Sequence, residues 1–341
     1  MSTITTHTTG NRATPSLGLI KFNTTTKALE VSDGTGWSVY DYDIVFVEKL
    51  LDSYTTSPKL GFSLRKISGT YTGNAIEVRR SSDNASQDIG FDSDGNLDTA
   101  SLESFVGAGN NGFVSKWYDQ SGNANNAVMT TAANQPKIVS SGTTITSGAF
   151  PAIEFDGTNS GMYTGTNTFG VAGYNSDLTL LAITEPDTSH NSTTVAHIIG
   201  TGSNGNGYAL NYGDALRLFP SGSGKSYGYI SEHSNSGLQL EDTTNAVDDT
   251  LSLALLTKDY SAPLSKISTN DGTVVTDTTT PGGDTGSYTT TGIGITFAGG
   301  TTTAATERFK GKILEIVQWH NDYDSSRSDI KSDINAYYSI W

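Results

Sequence analysis

Apolar residues in this chain come only in short runs closed off by turn formers, and no other feature limits its possible folds as strongly. Ile44–Val47, Ala75–Val78, Phe113–Tyr118, Ala152–Phe155, Leu178–Ile183, Val195–Ile199, Leu251–Leu256, Gly292–Phe297 and Lys312–Trp319 are the clearest runs in 341 residues. Runs of about four to eight residues bounded by Gly, Asn, Asp, Ser and Thr read as strands, since a helix needs a longer periodic segment to bury a face. No strand–helix alternation is visible, which excludes doubly wound and α/β-barrel layouts. The expected class is all-β: an antiparallel two-sheet jelly-roll sandwich with a small N-terminal β-hairpin unit and a short C-terminal helix.

Composition supports the same class and removes several functions. Charged residues make up 16% of the chain, below the roughly 25% of an average soluble domain. With 16 Tyr, 12 Phe and 4 Trp the chain has the aromatic content of a packed core, which charged disordered sequences lack. The balance of 20 basic against 35 acidic residues leaves −15, so nucleic acid, whose phosphates require clustered Lys and Arg, is not an expected partner. There is no Cys, hence no disulfide and no thiolate metal site. The apolar runs are too short to cross a bilayer, and membrane insertion is not expected. Met1–Thr8 lacks the basic and apolar regions of a secretion signal, so export by the ordinary secretory route is not expected either.

Three segments are expected. Residues 1–14 are polar and Thr-rich and read as a flexible arm. Residues 15–42 read as strand Leu17–Asn23, turn Thr24–Lys27, strand Ala28–Ser32, turn Asp33–Gly36 and strand Trp37–Tyr40. So small a sheet cannot stand alone in water, so it is assigned to attachment or oligomerisation. Residues 43–341 form the sandwich. Two helices are expected, Ala100–Val106 capped by Asp98 or Thr99 and ended by Gly107, and Ser326–Tyr338 with Ile330, Ile334 and Tyr337/Tyr338 on one face.

Candidate chemistry falls into three groups. Asp92, Asp94, Asn96 and Asp98 offer oxygen ligands at alternate positions with Glu103 at the twelfth, the pattern of a calcium loop, although Gly95 stands at the fourth position and not the sixth. Calcium is the one cofactor this suggests; Asp98 reads equally as a helix cap. For carbohydrate, an exposed aromatic beside Asp, Asn and Arg is the usual inventory. Trp117 and Asp119, followed by Gln120 and Asn123, fit it; so do Tyr208, Tyr212, Asp214, Arg217, Tyr227 and Tyr229 in a Tyr- and Gly-rich stretch read as recognition loops. The alternative for Trp117–Gly122 is a buried corner in which Asp119 accepts hydrogen bonds from backbone N–H groups. The five His (7, 190, 197, 233 and 320) are scattered, and His197 inside an apolar strand reads as a core residue. Arg79 and Arg80 are read as salt-bridged to nearby Asp residues.

Several stretches resemble known families. Thr14–Val31 with Gly34-Thr-Gly-Trp37 resembles a short segment of bacteriophage tail-fibre and related virion proteins. Within Ser53–Ile138, Tyr71–Asn84, Gln87–Phe91, Trp117–Asn123 and Gln135-Pro136 resemble the N-terminal part of the arabinofuranosidase B catalytic domain, a block also found in phage structural proteins. Pro151–Gly157 through Phe309–Val317 is similar to concanavalin A-like (laminin G-like) jelly rolls. In the arabinofuranosidase family the nucleophilic Glu follows Tyr-Gly-Asn-Ala; the nearest stretch here, Tyr212–Leu216, has Leu216 in its place, and Asp214, two positions away, is expected to point elsewhere.

Together these resemblances imply a non-enzymatic, tail-fibre-like protein on the virion surface. Residues 15–42 would engage other tail or baseplate proteins, the chain would form a homotrimer, and loops of the sandwich would adhere to host-surface glycan. Two alternatives stay open: a glycan-cleaving depolymerase or glycoside hydrolase working between the two sheets, and a purely structural decoration or joining protein.

Overall fold

A computed structural model describes residues 5–8, 10–11, 14, 20–26, 28–40, 49–166, 168–169, 176–189, 195–203, 213–221, 224–232, 238–279, 288–297 and 304–341. The chain divides into two compact units, Met1–Glu48 and Lys49–Trp341.

In the first unit Ile20–Asn23, Ala28–Ser32 and Trp37–Tyr40 form an antiparallel meander in the expected order. Its turns are closed by side chains. Asn23 Oδ1 accepts from the Thr25 and Thr26 amides at 2.9 and 3.2 Å, and Asp33 Oδ1 from those of Thr35 and Gly36 at 2.8 Å each, the local bonding that makes Asn and Asp good turn residues. Thr5–His7, in the stretch read as an arm, pairs in parallel with Lys21–Asn23 and extends this sheet. Residues 15–19 and 41–48 lie outside the described residues.

The second unit is an all-β antiparallel sandwich. One sheet runs, in spatial order, Val275–Asp277, Leu264–Thr269, Ser252–Asp259, Leu178–Pro186, Lys310–Trp319, Pro58–Ser63. The facing sheet runs Ser86–Ile89, Ile76–Arg80, Gly112–Trp117, Ala127–Val128, Met162–Thr164, Tyr288–Ile293, Ala196–Ser203, Gly213–Ser221, Gly224–Glu232, Leu238–Glu241. Lys137–Ser140 and Ile153–Asp156 carry the hydrogen bonding from one layer to the other, so 21 of the described strands join in one ladder, and Thr146–Ser147 with Phe150–Pro151 form a separate pair.

Alternation of side chains along a strand sorts the core into two layers. Leu180, Ala182, Ala254, Leu256, Ile316, Leu60 and Phe62 face the opposite sheet, where they meet Val78, Trp117, Leu216, Tyr227 and Tyr229. Leu181, Ile183, Leu253, Leu255, Val317 and Trp319 face away and pack beneath Leu50 and Leu51 of the short helix Leu50–Ser53 and Ile330, Ile334 and Tyr338 of helix Arg327–Tyr338. Burial on both faces is why these strands are continuous apolar runs and not alternating ones. The helix Thr99–Val106 is capped as expected: the Ser101 amide donates to Asp98 Oδ1 at 2.9 Å, and Gly107, at φ 77°, ends it.

The C-terminal helix is fastened by buried charge. Glu315, fully buried, accepts from Arg65 Nε and Nη2 at 2.8 and 2.9 Å, from Ser63 Oγ at 2.8 Å and from the Tyr338 hydroxyl at 3.0 Å. Arg65 also lies 4.5 Å from the centre of the Tyr337 ring. Arg327 donates to Leu255 O at 2.9 Å and Thr257 Oγ1 at 2.6 Å, closing the other end of the helix. Removing one partner of such a buried pair strands the other charge, at a cost of roughly 3–5 kcal/mol. Arg65→Ala should therefore lower the denaturant midpoint by about that much, while the double replacement Arg65→Met with Glu315→Leu should recover most of the loss in the same unfolding measurement.

Candidate functional site

The motif Trp117–Asn123 forms a buried corner. Trp117 is fully buried and Asp119 is 4% exposed. Asp119 Oδ1 accepts from the Gly61 and Ser121 amides at 2.8 and 2.9 Å, and its Oδ2 from the Asn125 amide at 2.9 Å. Gln120 Oε1 accepts from the Ile67 amide at 2.9 Å while its Nε2 donates to Ser63 O and Arg65 O at 3.1 and 2.9 Å. Asn123 Nδ2 donates to Pro58 O at 2.7 Å. The side chains of Asp119, Gln120 and Asn123 are thus spent on fixing strand Pro58–Ser63, the segment after it and the turn itself. Trp117 and Asp119 therefore offer no sugar-binding surface, because ring and carboxylate are both inside.

The stretch read as Tyr-rich loops is, where described, a long strand pair, Gly213–Ser221 against Gly224–Glu232. Tyr208 and Tyr212 lie outside the described residues. Arg217 is buried, and Tyr227 and Tyr229 are fully so, so neither tyrosine has a free face to stack on a sugar. Tyr227 shares a 2.7 Å hydrogen bond with Thr184 Oγ1 across the sandwich, and burial pushes its hydroxyl well above the ordinary tyrosine range.

Asp214 is the informative member. It is 2% exposed, the Tyr229 hydroxyl donates to its Oδ1, and the Lys258 ammonium lies 4.0 Å from the same oxygen. Residues two apart on a strand share a face, so Asp214 points the same way as Leu216, between the sheets, and not elsewhere as expected. Leu216 itself is fully buried, directly across from Tyr229. Lys258 follows Ala254 and Leu256 on the inner face of its strand. Gln318, fully buried two residues after Ile316, has neither amide atom hydrogen-bonded among the described residues. His320 Nε2 pairs with Thr168 O at 2.8 Å, and the Thr168 amide donates to Thr291 Oγ1 at 2.9 Å. Sequence reading missed Lys258 and Gln318. Their signal was a lone polar residue in phase with an apolar run, visible only once the inner face of each strand is known.

The residues read as a calcium loop do not converge. Asp92 Oδ1 accepts from the Asp94 and Asn96 amides at 2.9 Å each, Asp98 caps the helix, and Glu103 Oε1 accepts from the Thr144 amide at 2.8 Å. Among the described residues no group of three or more His, Asp or Glu side chains is placed to hold a metal ion. Of the arginine pair, Arg80 meets Asp83 at 2.7 Å, but Arg79 donates to Gln135 and Asn84 at 2.7 and 2.8 Å instead of to an Asp.

The sandwich with this inner-face cluster can be set beside known proteins. A model of the α-L-arabinofuranosidase B catalytic domain matches residues 60–216, further along the chain than the resemblance read from motifs. The structure of an arabinofuranosidase complexed with arabinofuranosyl-α-1,2-xylobiose shares the fold, with a TM-score of 0.62 and 15% identity over 84% of this chain and 64% of that one. A GH54 α-L-arabinofuranosidase soaked with a cyclic sulfate inhibitor gives a TM-score of 0.61 and 16% identity over 84% and 64%. The chain thus spans just under two thirds of the length of these structures. No curated protein matches it. These matches set the chain beside arabinofuranosidases and not phage fibres. They overturn the tail-fibre reading, together with the virion partners given to residues 15–42, the adhesion to host glycan, the trimer and the non-enzymatic assignment.

Two buried groups have measurable consequences. Asp119→Ala leaves three backbone N–H groups without their acceptor, and at about 1–3 kcal/mol for a stranded group the variant should lose on the order of 3 kcal/mol or more in urea unfolding. Burial, reinforced by Arg217, pushes the His197 imidazole well below its ordinary 6.5. The folded protein keeps it neutral while the unfolded chain takes up a proton below 6.5, so stability is full above that pH and declines as pH falls through it. The slope between pH 6.5 and 5.5 should approach about 1.4 kcal/mol per unit for this group and flatten in His197→Gln.

Proposed function

We propose that the chain is a glycoside hydrolase acting on arabinofuranosyl-bearing carbohydrate, with Asp214 as a carboxylate at the reacting centre. The observation that carries this reading is the match to a catalytic-domain model over residues 60–216, a span whose last strand bears Asp214 facing the space between the sheets. Glycosidases of this kind work through an oxocarbenium-like transition state flanked by carboxyl groups, one attacking or stabilising the anomeric carbon and one moving the proton. Leu216, where the resemblance places a nucleophilic Glu, has no group able to do either. The strand brings Asp214 to the same face one inward step earlier, roughly 6.6 Å along the backbone.

The surroundings of Asp214 suit the charge-bearing half of the pair. The Tyr229 hydroxyl donates to one carboxylate oxygen and the Lys258 ammonium lies 4.0 Å from it, which fixes its direction; at 2% exposure the carboxylate meets a sugar only when the strands around it part. Fixed dipoles and charges in a buried setting act more strongly than in water and need no reorganisation during reaction.

The test is release of 4-nitrophenolate from 4-nitrophenyl α-L-arabinofuranoside by the purified chain. Asp214→Asn, which keeps an acceptor for Tyr229, should lower kcat/KM by about 10²–10⁴-fold, the usual weight of a single acid–base or charge-stabilising group. Because it also removes the charge facing the buried Lys258 ammonium, the unfolding midpoint should fall as well, and activity is compared under conditions where both proteins are folded. No release by the parent protein from this substrate or from arabinoxylan overturns the reading. Parent-like activity in Asp214→Asn overturns the assignment of that residue.

A further inference from the structure

Away from Asp214, beside the C-terminal helix that covers the outward face of the helix-backed sheet, lies a groove of about 470 Å³ lined by Phe150, Pro151, Tyr337, Thr144, Asp92 and Glu103 among others. That volume is within the roughly 300–1,000 Å³ usual for small-molecule sites. Its walls are held in advance. Glu103 accepts from the Thr144 amide at 2.8 Å, tying helix Thr99–Val106 to the strand Thr143–Thr144. The Tyr337 hydroxyl donates to Asn96 Oδ1 at 2.6 Å while Arg65 stacks over the ring. The Phe150 ring lies 5.2 and 5.0 Å from those of Tyr337 and Tyr338.

One group in this groove has no structural use. Thr144 is 9% exposed and its hydroxyl is buried with no hydrogen-bond partner among the described residues. A buried hydroxyl left unpaired is destabilising, so its presence calls for a reason. The rest of the lining states the chemistry of a ligand. Phe150 and Pro151 offer an apolar surface, while carboxylates, an amide and threonine hydroxyls supply polar partners, and among the described residues no Lys or Arg lines the groove. An aromatic surface beside side chains that accept from or donate to hydroxyls suits a sugar ring, which is apolar on its face and hydroxylated at its rim. Two uncompensated carboxylates disfavour an anionic sugar.

We propose that this groove binds a neutral oligosaccharide segment, as an accessory subsite separate from Asp214, with the Thr144 hydroxyl completed by a sugar hydroxyl. The ligand class comes from the groove itself; the choice of polymer rests on the function proposed above. Affinity electrophoresis through gels containing arabinoxylan tests it with the full chain. The parent and Asp214→Asn should be retarded equally, and Phe150→Ala and Thr144→Val should each show at least a fivefold weaker apparent affinity. Thr144→Val should melt no lower than the parent without polysaccharide, since the hydroxyl it removes has no partner, and both groove variants should hydrolyse 4-nitrophenyl α-L-arabinofuranoside at the parent rate. Absence of retardation in the parent, unchanged retardation in both variants, or equal retardation by polygalacturonate overturns the proposal. Retardation without hydrolysis overturns the catalytic reading and leaves the groove standing; hydrolysis without retardation does the reverse.

Discussion

Burial of strands Leu178–Pro186 and Lys310–Trp319 on both faces is the constraint on which the rest of the structure depends. Inward, they hold Leu180, Ala182 and Ile316 against the opposite sheet; outward, Leu181, Ile183, Val317 and Trp319 under the helices. A strand covered on both sides has no face on which to place a polar residue freely. Each polar residue it carries must be matched by a partner or left costly. Glu315 is matched four times over, by Arg65 twice, Ser63 and Tyr338. Gln318, on the inward face, is not matched among the described residues. The same strand thus carries both the anchor of the C-terminal helix and an unpaired amide facing the interior that Asp214 and Lys258 share.

Polar residues inside this sandwich divide by the kind of partner they have. Asp119, Gln120 and Asn123 bond to backbone amides and carbonyls of neighbouring segments, and such groups close turns and join strands. Asp214 bonds to other side chains, Tyr229 and Lys258, on strands that need no help from it to pair. A carboxylate whose partners are side chains and not backbone has no turn or strand to close, and that difference is the ground on which Asp214 is proposed for chemistry. By this criterion Trp117–Asn123, prominent as a motif, belongs to architecture, and Asp214, which looked misplaced beside Leu216, belongs to the candidate site.

Much of the fold was legible in the chain. Three of the four strands of the N-terminal sheet, the cap at Asp98 with its stop at Gly107, and most strands of the sandwich follow from apolar period and turn chemistry, which act over a few residues. The hairpin also misled. Asn23 and Asp33 close their turns by local bonds that serve equally well in any protein, so a short motif of this kind indicates a hairpin and not a host. The long-range pairings were not legible. Nothing local records that residues 153–156 bridge the two layers, that Lys258 comes to 4.0 Å from Asp214, or that Asp92, Asn96 and Glu103, read as one metal loop, line a groove with Phe150 and Tyr337.

By itself the sequence determined the class: short apolar runs with turn residues between them can bury their surface only as packed strands, and a chain with no Cys has no thiolate to offer. The tertiary structure decided which side of each strand is inside. Because side chains alternate with a period of two, that single choice placed Tyr227, Tyr229 and Trp117 in the core, turned Asp214 and Leu216 to the same space, and set Lys258 opposite them. Which residues share a face follows from spacing; what lies across from that face depends on strands far away in the chain, and only their packing supplies it.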